Sequence, residues 1–202
     1  MISEKLRGRT ERIFKKHGGM LRTSAAQKAG IHPRTLYFMR DEGMIIELGR
    51  GLFRLASLPD MGNPDLATVA ARLPRAVICL ISALSFHGIT TQIPHQVDIA
   101  LPRGSKNPKF GFPPVRIFRF SPSAFRNGIE VHMIDGARVR IYAPARTVVD
   151  CFRLRKRLGI DIAVEALRFA LQRRKTTTAE ILRYARMLRM ERVMMPYLEA
   201  MQ

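Results

Sequence analysis

The chain has 202 residues, 47% of them hydrophobic and 25% charged, so it can bury a core in one large domain or two small ones. Its 35 Lys and Arg residues against 16 Asp and Glu residues give a formal net charge of +19. Simple solubility does not require so large an excess, which favours a polyanion or an anionic surface as partner. No apolar run approaches the length of a membrane span, so we expect no membrane-embedded segment.

The cysteines and the first residues indicate the compartment. Cys79 and Cys151 each lie inside an apolar run, which predicts buried reduced thiols and not a disulfide. The segment 1–12 lacks the apolar core of a secretory signal. We therefore expect a cytoplasmic protein, in a prokaryotic cell whose cytosol and nucleoid share one compartment.

The first two helices are predicted from capping and turn residues. Residues 4–17 predict a helix with a thin apolar stripe and a heavily basic opposite side. A second helix is expected to begin at Thr23 or Ser24, since either hydroxyl can cap it and Gln27 completes a capping box with Ser24. Gly30 follows as a turn residue that is free to take a positive φ.

A third helix is predicted to start at His32-Pro33, because a proline in the first helical turn loses no hydrogen bond there. Leu36 and Met39 are three residues apart and face inward. Two strand-like runs then flank Gly49-Arg50-Gly51, which predicts a hairpin with Arg50 at its tip.

The order helix, turn, helix and hairpin over residues 20–55 predicts a winged helix-turn-helix, in which the helix from Pro33 to Glu42 enters the major groove of DNA. The alternative is a structural helical hairpin beside a β-ribbon. Arg34 and Arg40 are expected at guanine or phosphate, Thr35 and Tyr37 at phosphate or a thymine methyl group, and Arg50 in the flanking minor groove. The expected contacts to the DNA backbone are Lys15, Lys16, Arg22 and Lys28. For each arginine the alternative is a solvated surface charge.

A segment rich in turn formers at 57–64 predicts the boundary between a winged helix-turn-helix domain, 1–58, and a C-terminal domain, 62–202. In the second domain the apolar segment 76–86 predicts a buried helix that can begin as a strand. Four alternating runs (VDIAL, VRIFRF, IEVHMI and VRIYA) predict a small, mainly antiparallel sheet flanked by helices at 162–173 and 178–190. The expected fold class is α+β, with a winged helix-turn-helix followed by an α/β domain.

One further basic segment and several polar residues require an interpretation. The loop from Pro102 to Pro114 carries three cations among glycines and prolines, and is either mobile or a phosphate contact. Asp98 is expected on the surface of a strand. A nucleotidyltransferase would need a second carboxylate two residues later, and Ala100 stands there. Arg146 and Asp150 are four apart and are expected to form a structural pair.

The sequence contains no recognisable set of catalytic or metal-binding residues that would support an enzymatic function. The five histidines are scattered without metal-ligand spacing, and the sequence contains no GxSxG, P-loop or GxGxxG motif. We therefore expect no catalytic residue, no metal, no cofactor and no enzyme. A nuclease-like or transferase-like enzyme acting on DNA is the remaining alternative, and it would have to show metal-dependent turnover.

Three segments follow one another along the chain: Gly49–Phe53 (GRGLF), Ile81–Thr90 (ISALSFHGIT) and Ala143–Asp150 (APARTVVD). In this order they resemble the wing, the SAL..HGL segment and the P.RT..D segment of the AbiEi family, antitoxins of type IV toxin–antitoxin systems. The chain departs from the pattern at Tyr37 and Phe38, where the resemblance implies more polar residues on the recognition helix.

The resemblance implies an N-terminal domain that represses its own operon and a C-terminal domain that counters a partner toxin. The expected function is thus a sequence-specific repressor and type IV antitoxin with negative autoregulation. Its expected partners are double-stranded DNA of its own operator and a nucleotidyltransferase-like toxin. The toxin is expected to be countered without formation of a stable complex. We expect a monomer or weak dimer, with cooperative DNA binding left open. The alternative is a protein-interaction module that neutralises the toxin directly, with DNA binding secondary.

Overall fold

A computed structural model describes residues 2–201 and divides the chain into two compact units. The first unit comprises the chain up to Arg75 together with Pro108–Pro113 and Val131–Val139, and the second comprises the remaining segments. This grouping differs from the predicted boundary at 57–64, because the helix after that boundary and two later segments join the first unit. The assignment of separate functions to residues 1–58 and 62–202 stays a prediction.

The first unit contains four helices and a three-stranded antiparallel sheet of order β1-β3-β2 within the described residues. Its elements are α1 (Glu4–Lys16), β1 (Met20–Arg22), α2 (Thr23–Lys28), α3 (Pro33–Asp41), β2 (Ile45–Gly49), β3 (Leu52–Leu55) and α4 (Pro64–Arg72). The two strand-like runs around Gly49-Arg50-Gly51 are therefore paired strands, whereas the third strand, β1, was not predicted.

Local residue chemistry explains where α2 and α3 begin. His32 caps α3, since its Nδ1 accepts the backbone N–H of Arg34 at 3.2 Å, and Pro33 is the first helical residue as predicted. The predicted capping box of α2 is wrong, because the N-cap is Arg22 and no side chain caps this helix. Thr23 lies inside α2 and instead donates from its N–H (2.9 Å) and its Oγ1 (3.3 Å) to the carbonyl oxygen of Gly51.

The core of the first unit forms where its helices meet the sheet. Leu36 and Met39 on α3 are fully buried, as their spacing predicts. The other buried members of this cluster are Phe14, Leu21, Ala26, Ile31, Ile45, Phe53 and Leu55. Burial of each large apolar side chain contributes about 1.5–3 kcal/mol. The inward face of α3 is thus fixed by packing, and its other residues are presented outward.

The second unit contains the larger sheet and most of the helices. Its elements are β4 (Val77–Ile78), α5 (Leu80–His87), β5 (Val97–Pro102), β6 (Val115–Phe120), α6 (Pro122–Arg126), parts of β7 (Ile129–Ile134) and β8 (Ala137–Tyr142), α7 (Pro144–Arg153), α8 (Arg155–Leu158), α9 (Ile160–Gln172), α10 (Thr178–Met187) and α11 (Glu191–Glu199). The division between the units crosses β7 and β8.

The predicted sheet needs correction in its pairing. All four predicted strands exist, but β4 is a fifth strand in the order β6-β5-β4-β8-β7. β5 pairs parallel with β6 and β4 pairs parallel with β8, whereas β4 pairs antiparallel with β5, so the sheet is mixed and not mainly antiparallel as predicted. Alternation of apolar and polar residues does not distinguish the two directions. The long connection 103–114 between β5 and β6 is what permits parallel pairing.

Two buried carboxylates with arginine partners and two buried thiols lie in the second unit. Arg146 Nε donates to Asp150 Oδ2 at 2.9 Å with both side chains 0% exposed, which confirms the predicted structural pair. The surface position predicted for Asp98 is wrong: it is 1% exposed because Arg116 on the neighbouring strand donates to both its carboxylate oxygens, at 2.7 and 2.9 Å. Cys79 and Cys151 are free and buried as predicted, and burial raises the pKa of both thiols.

Candidate nucleic-acid interface

Within residues 2–201, the outward surface of α3 includes one unpaired cation and one aromatic ring. Arg34 is exposed in the first turn, and Tyr37 is 46% exposed one turn later. The Tyr37 ring packs edge-on against Phe53 of β3, with 6.3 Å between ring centroids. Tyr37 is therefore held against the sheet while part of its ring faces solvent.

Thr35 does not belong to this surface, and its predicted contact with DNA is corrected. Its side chain is only 6% exposed, because Thr35 lies on the same side of α3 as Leu36 and Met39, which face the core. A buried hydroxyl cannot reach a phosphate or a thymine methyl group without a change in the helix packing.

Arg40 is held by two carboxylates at the end of α3. Its Nη2 lies 2.8 Å from Asp41 Oδ1 and its Nη1 lies 3.4 Å from Glu47 Oε2. The hydrogen bond to Asp41 raises the pKa of the Arg40 guanidinium, so this group stays charged. The guanidinium also lies over the Tyr37 ring, 5.1 Å from its centroid. A phosphate that approaches Arg40 therefore competes with these two carboxylates for the guanidinium.

Glu47 links α3 to the turn between β2 and β3, and sequence reasoning missed it. One of its carboxylate oxygens accepts the N–H of Gly51 at 2.9 Å, while the other faces Arg40. Gly51 has a φ of +69°, which an L side chain rarely adopts, so glycine fits this turn. The available signal was a lone acid four residues before a turn glycine. Arg50 is exposed at the tip of this turn.

The remaining predicted backbone contacts are exposed on elements around α3. Lys15 and Lys16 lie in the last turn of α1, Arg22 is the N-cap of α2, and Lys28 is its last residue. All four side chains are accessible to an anionic ligand. Each also remains compatible with a solvated surface charge.

The part of the chain that the structure describes contains neither a cluster of metal-binding side chains nor a helix suited to span a membrane. Within residues 2–201, no group of three or more His, Cys, Asp or Glu side chains is arranged to hold a metal ion. Over the same residues, every helix is too short or too polar to traverse a lipid bilayer.

Comparison with known proteins gives a class and then a family. Residues 9–56, from α1 to just after β3, match the family described as "Transcriptional regulator, AbiEi antitoxin". This description names a class of transcriptional regulators with an antitoxin role. The match confirms the resemblance to the AbiEi family over residues 9–56, whereas the SAL..HGL and P.RT..D segments lie outside the matched residues.

A solved structure supports the fold over a longer span. The RV2827C protein from Mycobacterium tuberculosis is similar to this chain with a TM-score of 0.57 and 14% sequence identity, over 91% of this chain and 72% of that one. At this identity the similarity concerns the fold alone. No curated protein matches the chain significantly.

Proposed function

We propose that the chain is a sequence-specific DNA-binding repressor that acts as the antitoxin of a type IV toxin–antitoxin operon and represses that operon. One observation carries the proposal: α3 buries Leu36 and Met39 and leaves Arg34 and Tyr37 exposed beside a turn that presents Arg50. The family match over residues 9–56 supports a regulatory role for this same segment.

In this proposal residues 1–58 act as a winged helix-turn-helix, with α3 as the recognition helix and the β2–β3 turn as the wing. Arg34 contacts guanine or phosphate in the major groove, and Tyr37 contacts a phosphate or a thymine methyl group. Arg50 enters the flanking minor groove, where a narrow groove attracts arginine. The helix-end cations position the protein on the DNA backbone: Lys15, Lys16, Arg22 and Lys28.

Arg40 has a more limited role than Arg34 in this mechanism. Its carboxylate partners already neutralise much of its charge, so it contributes little to non-specific attraction. Once DNA is bound, a phosphate can replace one of these carboxylates. The base preference then depends mainly on Arg34 and Tyr37, each good base contact being worth about 1–3 kcal/mol of discrimination.

The test is binding of the full chain to the DNA upstream of its own coding sequence and to a scrambled duplex, measured by fluorescence anisotropy over a salt series. The variants are Arg34→Ala and Arg50→Ala, and Arg192→Ala is the control, since it removes an exposed cation from the second unit. We expect Arg34→Ala to lower the preference for the upstream DNA and Arg192→Ala to preserve it. Equal, steeply salt-dependent binding to both duplexes would refute sequence-specific repression.

The toxin partner follows from the family alone, and we propose a nucleotidyltransferase-like toxin that is countered without a stable complex. The expected result is that purified antitoxin and toxin elute separately in size-exclusion chromatography while co-expression restores growth. Stable co-elution would favour instead a protein-interaction module that neutralises the toxin directly. The same chromatography reports whether the free antitoxin is a monomer or a weak dimer.

A further inference from the structure

A basic, aromatic-lined cleft of about 500 Å³ lies beside the β2–β3 turn, within the first unit. The side chains that line it are Arg50, Arg72, Lys109, Phe110 and Phe112, and no acidic residue is among its lining. Three cations and two rings thus converge from three separate parts of the sequence. The sequence alone suggested only that the loop containing Lys109 could touch phosphate.

Arg72, the last residue of α4, organises the cleft. Its guanidinium lies over the Phe110 ring, 4.4 Å from the centroid, and its Nη1 donates to the carbonyl oxygen of Phe112 at 3.2 Å. A side chain added at Gly49 would bring its Cβ within 3.5 Å of the same Nη1. Arg72 therefore fixes the segment Pro108–Pro113 next to the turn. A guanidinium has five N–H donors, so it can hold this carbonyl and an anion together.

The remaining groups suit an extended anionic chain. Arg50 and Lys109 are exposed, and no ion pair among residues 2–201 involves either of them. Phe112 is 64% exposed, an unusual degree of exposure for a phenylalanine, and it lies beside the three cations of the cleft. The sugar–phosphate chain of DNA offers phosphates to the cations and an apolar sugar or base edge to the ring. A small isolated anion would leave Phe112 without a partner.

We propose that this cleft is a second DNA-contacting element, in which Arg72, Lys109 and Phe112 hold the strand that flanks the DNA segment read by α3. Lys109 and Arg72 bind its phosphates, and Phe112 packs on the sugar edge beside Arg50. The inference rests on the proposed repressor function and adds to it a contact outside the helix and the wing. It predicts that the protein protects a longer DNA segment than α3 and the turn can cover.

The experiment uses the full chain and the upstream duplex, with Lys109→Ala and Phe112→Ala as variants. Lys106→Ala is the matched control, because Lys106 is an exposed lysine of the same loop that does not line the cleft. Lys109→Ala should lose one phosphate contact. The slope of log K against log salt concentration should then become shallower by about 0.9, and binding at 0.1 M salt should weaken about eightfold if both proteins bind equally at 1 M salt. The ratio between upstream and scrambled DNA should stay unchanged, since phosphate contacts carry no base preference.

Hydroxyl-radical footprinting and a shortened duplex separate the possible outcomes. Phe112→Ala should lose protection at one edge of the footprint, and removing that edge from the duplex should weaken the wild type but not the Lys109→Ala/Phe112→Ala double variant. If the wild type selects the upstream DNA but Lys109→Ala behaves like Lys106→Ala, the cleft proposal is overturned while the repressor function stands. If the wild type shows no selectivity, the repressor function fails first and the cleft proposal falls with it.

Discussion

Replacement of Arg146 by methionine is expected to destabilise the protein by about 3–5 kcal/mol at neutral pH, the usual loss when one partner of a buried ion pair is removed. Arg146 is fully buried and donates three hydrogen bonds: to Asp150 Oδ2 at 2.9 Å, to Asp150 Oδ1 at 3.3 Å and to the carbonyl oxygen of Asn127 at 3.0 Å. Methionine fills similar space but leaves the carboxylate and the carbonyl without these donors. Urea unfolding followed by circular dichroism measures the change.

The pH dependence of this loss has a definite sign. Burial raises the pKa of Asp150, and Arg146 is the main group that opposes this rise. Without Arg146 the folded-state pKa of Asp150 rises further above its unfolded value. A carboxyl group whose pKa is higher in the folded state than in the unfolded state contributes its full stability below the unfolded-state pKa. That stability is lost as pH increases through the folded-state pKa. The cost of Arg146→Met should therefore be smallest in acid and grow toward neutral pH.

Two control variants make the reasoning refutable. Arg168→Met removes an exposed arginine of α9 and should change the stability by no more than about 0.5 kcal/mol. Arg146→Met/Asp150→Leu removes both charges and should recover most of the lost stability, because a buried pair can often be replaced by apolar residues. If the double variant is no more stable than Arg146→Met, or if Arg146→Met costs less than the Arg168 control, then the pair does not stabilise the fold as argued.

Three further predictions concern single side chains. Gly136→Ala should lower the free energy of unfolding by more than Gly43→Ala does. Both glycines have a positive φ, so backbone strain alone should cost about 1–2 kcal/mol at each, but only at Gly136 would the added Cβ overlap a backbone oxygen. Equal losses of stability in urea unfolding would contradict this packing. Thr177→Ala should cost about 1 kcal/mol in urea unfolding by removing the capping box of α10, whereas Thr178→Ala should preserve the box, so a larger loss at Thr178 would contradict the cap. Glu47→Gln retains an acceptor for the turn and removes one of the two carboxylates beside Arg40, while Asp41 remains. Anisotropy should therefore report tighter DNA binding, and weaker binding would refute that role.

Features set by short stretches of sequence could be predicted. Pro33 begins α3 because its ring is compatible with the first helical turn, and Gly30 has a φ of +83° in the turn before it. Leu36 and Met39 are buried because their spacing places them on one face. The exposure of Arg34 and Arg50 follows equally, since each lies at an end of an element and away from an apolar stripe.

Features that depend on distant partners could not be predicted. Asp98 is buried because the parallel register places it opposite Arg116, and alternation of residue types fixes neither the direction nor the partner. Thr35 is a polar residue at an inward position, and only the packing of α3 shows this. Glu47 and Arg72 act through contacts to a turn and to a loop that lies 40 residues further along the chain. The residues that flank Glu47 and Arg72 in the sequence do not indicate either of these contacts.

The distribution of ion pairs indicates which part of the large positive charge can serve DNA binding. In the second unit Arg116 and Arg146 are held by buried carboxylates, so neither can exchange its partner for phosphate without loss of stability. In the first unit, by contrast, no ion pair among residues 2–201 involves Arg34 or Arg50, and both are exposed. Counterion release on binding DNA requires cations that the fold has left unpaired. Because paired charges cancel within the net charge of +19, the salt slope should report only the unpaired cations that lie at the interface.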